Sequence, residues 1–188
     1  LIETTHVSEI IESMVSYTAN QLVAQYVPSE DDPSNWDQAG LTDKLSTDYQ
    51  TQVDLTNLTR VAEITEKIID ALQLSIKSKG ELTSDEHFKK IEQRTLLLVL
   101  DQAWKEHLAA MDHLKKGINF RSYAQKNPTH EFKKDSYALF EQMLSKIKQQ
   151  TVIQLCKITI EQAPKPALMG GGYTINIQPK KQHETTTS

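Results

Sequence analysis

With 188 residues the chain is long enough to bury a sizeable core, as one medium domain or two small ones. Only 6% of it is aromatic and 24% is charged, a balance that suits amphipathic helices better than a dense α/β core, and its longest apolar run, residues 96–100, falls far short of the roughly 20 residues of a membrane-spanning helix. The net charge of −4 is uneven: residues 1–84 carry 5 Lys+Arg against 14 Asp+Glu, residues 85–162 carry 13 against 10, and the rest carry 3 against 1, so no clustered basic stripe exists and nucleic-acid binding is excluded as a function class.

In chain order, Val7, Ile10, Ile11, Met14, Val15, Leu22, Val23 and Tyr26 recur at threes and fours and predict a helix that ends before Pro28. The chain starts at Leu1-Ile2 with no initiator Met, basic segment or cleavage site, so it reads as a piece of a longer protein whose first helix is entered mid-course. Two prolines, Pro28 and Pro33, flank three consecutive acids, Glu30, Asp31 and Asp32, and mark a boundary. Beyond it, Trp36, Leu41, Leu45 and Tyr49 suit a short helix opened at Thr42, and Val53-Asp54-Leu55 alternates too briefly for a strand. Val61, Thr65, Ile68, Leu72 and Ile76 line a further helix that stops at Gly80, expected as its C′ glycine.

Thr83 and Glu86, three apart, predict a capping box ahead of a long amphipathic helix. Its expected seam is Leu97, Leu100, Trp104, Leu108, Met111, Leu114 and Ile118; a second seam follows Pro128, running Phe140, Leu144, Ile147, Thr151, Leu155 and Ile158. Two such helices joined by a short link must fold back as an antiparallel hairpin to hide both seams. In that arrangement Trp104 lies in the core, and Trp104→Ala is expected to cost roughly 3–5 kcal/mol by cavity formation. Phe120 and Tyr123, with Arg121 and Lys126, fall at the hairpin tip, where burial is geometrically difficult and contact with a partner is the natural use of an aromatic ring. After Gln162 the residues Pro164, Pro166 and Gly170 to Gly172 predict a flexible linker, in which residues 173–177 alternate like a short strand able to pair with an exposed edge. The fold class expected is therefore all-α: a long helix, a small helical subdomain, a long antiparallel two-helix hairpin and a flexible tail.

Residue chemistry points away from catalysis. The only glycine cluster lacks the following Lys-Ser/Thr of a phosphate loop, and Glu106, His107 and His113 lack the four-residue step that puts two imidazoles on one helix face. Cys156, the single cysteine, cannot form an internal disulfide and reads as a small buried hydrophobe from a reducing compartment. No catalytic residue, no metal and no cofactor is expected in this chain.

One continuous stretch carries a resemblance. The run Leu100-Asp101-Gln102-Ala103-Trp104-Lys105-Glu106-His107-Leu108-Ala109-Ala110-Met111-Asp112-His113-Leu114, then Gly117-Ile118 and Arg121-Ser122-Tyr123-Ala124-Gln125-Lys126-Asn127-Pro128, closely resembles the C-terminal region of the SecA family of bacterial preprotein-translocase ATPases. Glu131-Phe132-Lys133-Lys134, Tyr26-Val27-Pro28 and Trp36-Asp37 extend the likeness to residues 1–162. It implies that residues 1–29 are the end of a long scaffold helix, 30–84 a helical wing domain, 85–162 the two-helix finger of the scaffold, and 163–188 a C-terminal linker. It also implies a role as scaffold and finger of a translocation motor, coupling hydrolysis of ATP with Mg²⁺ in nucleotide-binding domains elsewhere in the protein to movement of unfolded preprotein through the SecY channel. Tyr123, Arg121, Phe120 and Lys126 would contact preprotein or channel; Trp104, Leu108, Met111, Phe140 and Leu144 would form the structural seam. The location implied is cytoplasmic, peripheral to the inner face of the plasma membrane. A generic helical adaptor that dimerises through its seams is the competing class, and the motif at residues 100–128 favours the translocase.

Overall fold

A computed structural model describes residues 4–28, 33–56, 58–121 and 128–160. Among them every regular element is helical: α1 (Thr4–Tyr26), a one-turn 3₁₀ helix (Pro33–Asn35), α2 (Gln38–Tyr49), α3 (Val61–Gly80), α4 (Asp85–Arg121) and α5 (Pro128–Lys157). The chain is all-α. The expected linker, residues 163–188, lies outside the described residues.

Helix α1 is the axis of the core, because its buried residues cover about half of its circumference. Val7, Ile11, Met14, Val15, Thr18, Ala19, Leu22 and Val23 are all buried, and α1 packs against each of the other four α-helices. Against it, α3 presents Ile64, Ile68, Leu72 and Ile76, a strict row at every fourth residue, all buried. Val53 and Leu55 insert from the irregular segment before α3 while Gln52 and Asp54 face solvent, so the brief alternation is real although no strand forms.

The ends of three helices differ from the sequence expectation, each for a local chemical reason. Helix α2 opens at Gln38 rather than Thr42, since the Asp37 carboxylate accepts the Gly40 N–H at 2.8 Å and caps it; the Thr42 hydroxyl donates to the Gln38 carbonyl at 2.8 Å inside the helix. Gly80 is the last residue of α3, followed by Glu81 in right-handed conformation, so its value is space and not left-handed φ. A Cβ there would stand 3.1 Å from the Phe88 ring. At the start of α4 the cap is Ser84, whose Oγ accepts the His87 N–H at 3.4 Å, and the expected Thr83–Glu86 box is not made: Thr83 Oγ1 is buried without a partner and Glu86 pairs with Lys90 at 2.8 Å.

Helices α4 and α5 lie antiparallel, as expected, with Glu106 ion-paired to Lys146 across the pair. The face α4 turns inward is not the expected one. Leu96 and Ala103 are buried and Val99, His107, Ala110 and Leu114 half-buried, whereas Leu97, Leu100, Trp104 and Leu108 are exposed. The observed seam has the expected spacing moved one residue back, a rotation of about 100° on a 3.6-residue helix. On α5 the expectation fares better: Ile147, Thr151, Leu155 and Ile158 are buried and Leu144 half-buried, but Phe140 is exposed and Met143, absent from the expected seam, is buried.

Candidate functional site

The rotation of α4 leaves one continuous apolar stripe on its outer side. Leu97, Leu100, Trp104 and Leu108 follow at steps of three, four and four, each 46–52% exposed. These side chains were expected to close the hairpin. Instead the seam beneath them uses small residues, Ala103 and Ala110, because two long helices approach closely only where side chains are short.

The stripe continues onto α5 through stacked rings. Trp104 and His107 have centroids 5.7 Å apart, and His107 meets Phe140 edge-on at 6.2 Å, so an aromatic ladder crosses from one helix to the other. Trp104 and Phe140 keep 47% and 41% of their surface in solvent. His107 Nδ1 is buried and has no partner among the described residues. Beside the ladder, Glu106 accepts bonds from Lys146 on α5 and, at 2.9 Å, from Gln102 on α4; the Lys146 bond is the larger reason why its carboxyl is held below the usual range. A groove of about 360 Å³ also runs between the outer parts of the two helices, lined by Ala110, Leu114, Asp135, Ala138, Leu139 and Gln142. Met111, placed in the seam by sequence, is half-buried.

The four tip residues cannot be set beside this stripe. The backbone of Phe120 and Arg121 completes α4, while Tyr123 and Lys126 lie outside the described residues. Among the described residues no group of three or more His, Cys, Asp or Glu is arranged to hold a metal ion, and no helix is long and apolar enough to cross a membrane. Cys156 is fully buried, and burial pushes its thiol up to about 11, which makes it a poor nucleophile.

What the sequence reading missed is that the stripe is open. The available signal was the pair of small residues Ala103 and Ala110, one position back from Trp104 and Met111.

Comparison with known proteins gives a consistent match. The family profile of the SecA wing and scaffold domain matches residues 1–159. The protein translocase subunit SecA of Cellvibrio japonicus is 37% identical over 164 residues, 84% of this chain and 18% of that protein. That of Nitrosococcus oceani is 35% identical over 82% of this chain and 18% of its own length, and that of Coxiella burnetii 34% over 85% and 18%. The chain thus spans less than a fifth of the length of these curated relatives.

Proposed function

The chain belongs to the SecA wing and scaffold family, and from that premise we propose that it serves as the scaffold, wing and finger of a protein-translocation motor. Residues 1–29 are the end of the scaffold helix, 30–84 the wing, 85–162 the two-helix finger and 163–188 the linker. ATP and Mg²⁺ are handled by nucleotide-binding domains of the same protein, beyond this chain, and the chain itself hydrolyses nothing. The finger presents Phe120, Arg121, Tyr123 and Lys126 to the SecY channel and to unfolded preprotein, at the cytoplasmic face of the plasma membrane. No nucleic acid takes part.

The observation that carries this reading is the open stripe of Leu97, Leu100, Trp104 and Leu108. An apolar row of this length on a long helix marks a surface meant to be covered, and most of each relative's length lies outside the matched region. The stripe seats the nucleotide-binding domains, so that their movements reach the hairpin.

The test uses the full-length protein in a transport assay with SecY-containing vesicles. Tyr123→Ala is expected to depress preprotein transport strongly with the melting curve unchanged, while Tyr123→Phe retains more transport than Tyr123→Asp. Trp104→Asp is expected to separate ATP turnover from transport, because a charge in the stripe weakens the seat. Full transport by both Tyr123→Asp and Trp104→Asp would sink the reading. Self-association of the chain that Trp104→Asp abolishes, with transport untouched, would favour the adaptor instead.

A further inference from the structure

A carboxylate sits where the chain could have placed a leucine. The first turns of α4 bury Phe88, Ile91, Thr95 and Leu96, and among them Glu92 is only 5% exposed. Its carboxylate accepts one hydrogen bond across the helix boundary, from the Ser8 hydroxyl of α1 at 3.0 Å. Ser8 is half-buried beside Val7 and Ile11, both buried, so the polar pair lies at the border of an apolar contact.

The surrounding charges do not neutralise it. Lys89, one turn back on α4, is engaged with Asp85 at 2.9 Å. Asp85 and Glu12, the latter from α1, both repel a negative Glu92; α5, the other helix packed on α4, brings no charged group that acts on it among the described residues. Burial is the foremost cause, and it raises the Glu92 carboxyl above the ordinary glutamate range against the opposing pulls of the Ser8 bond and, more weakly, of the Lys89 charge.

We propose that Ser8 and Glu92 form a proton-sensitive latch between the scaffold helix and the base of the finger: neutral Glu92 keeps α4 seated on α1, and ionised Glu92 loosens that seat. Below the ordinary glutamate range both folded and unfolded chains carry the proton, and the stabilisation is fully present. As pH rises the unfolded chain releases its proton first, so the stabilisation is lost as pH climbs through the folded-state value. Above that value the α1–α4 contact is held below its possible strength. A junction weakened in this way is suited to opening and reclosing while the rest of the core stays packed.

Hydrogen exchange in the full-length protein tests this without any transport readout. Glu92→Gln is expected to slow exchange in peptides covering residues 4–26 and 85–103 by about fivefold at pH 8 and to leave it unchanged at pH 4.5, each variant being compared with the parent at the same pH. Ser8→Ala, which keeps the carboxylate but removes the bond that favours its charged form, is expected to move the midpoint of loosening to higher pH. Faster or unchanged exchange in Glu92→Gln at pH 8, the same gain at both pH values, or no midpoint shift in Ser8→Ala would each overturn the latch. Because Ser8→Ala removes only one hydroxyl, it answers the question even if Glu92→Gln fails to fold.

Discussion

Helix α3 and the outer half of α4 are built from similar apolar side chains at similar spacing, and they meet opposite fates. Ile64, Ile68 and Leu72 on α3 lose all contact with water against α1; Leu100, Trp104 and Leu108 on α4 keep about half of theirs. The difference lies in what each helix is packed upon. Helix α3 lies on α1, whose leucines and valines accept a full apolar row, whereas α4 packs mainly on α5 and in its outer part turns Ala103, His107, Ala110 and Leu114 inward. Helical periodicity in a sequence therefore identifies an apolar face without saying whether this chain covers it.

Core truncation offers the largest test of that contrast. Leu72→Ala should cost about 2–5 kcal/mol, and Leu108→Ala, with its side chain half in solvent, about 1 kcal/mol or less, both read from denaturant unfolding. Equal losses would erase the distinction between the two helices. Trp104→Ala belongs with Leu108: the 3–5 kcal/mol expected from sequence assumed a buried ring, and with 47% of the ring surface exposed the loss should be roughly 1 kcal/mol. Fluorescence sharpens the same point. In a Trp36→Phe background, Trp104 should emit as a largely solvated indole in this chain and shift to the blue in the full-length protein; identical spectra would mean that nothing seats on the stripe.

Two smaller effects probe the base and the side of the hairpin. Cys156, buried and with its thiol pushed up to about 11, should resist alkylation at pH 8 until the chain unfolds. Rapid labelling in the native state would show that the inner end of α5 opens freely. The Glu106–Lys146 pair is exposed on both sides, so a double-mutant cycle should return about 0–1 kcal/mol, decreasing with salt. Its sign is fixed by the lowered Glu106 carboxyl: whatever the pair contributes is present at neutral pH and lost as pH falls below the ordinary glutamate range.

Helix existence was legible because it rests on local periodicity. The expected first helix, residues 7–26, matches α1 closely, and the row through Ile68, Leu72 and Ile76 is buried as read. Caps were less legible, because neighbouring residues compete for one role. Ser84 takes the place expected of Thr83, and Asp37 caps α2 five residues ahead of Thr42, since capping depends on which side chain meets a free N–H. Least legible was the facing of α4. Leucine and tryptophan at 97, 100, 104 and 108 outweigh Leu96, Val99, Ala103 and His107 one residue back on any hydrophobicity count, but the shorter side chains of that second row let the two helices approach more closely. The tip position was read from the hairpin itself and only its named partners from family resemblance, and Glu92 had no sequence signal, since a glutamate in a charged helix looks like any solvated one.

The length of α4 has a mechanical consequence. Thirty-seven residues at a 1.5 Å rise make a rod of about 55 Å, and among its described side chains the buried positions end at Ala103. Roughly 27 Å of that rod, counted at the same rise, projects past the last buried anchor as a cantilever braced by α5 alone. A tilt of about 10° at the root carries the far end through about 5 Å, one helical turn. At the opposite end of the rod Phe88 lies against Gly80, so a side chain at position 80 would press on the first turn of α4, about 22 Å from the point where the lever begins.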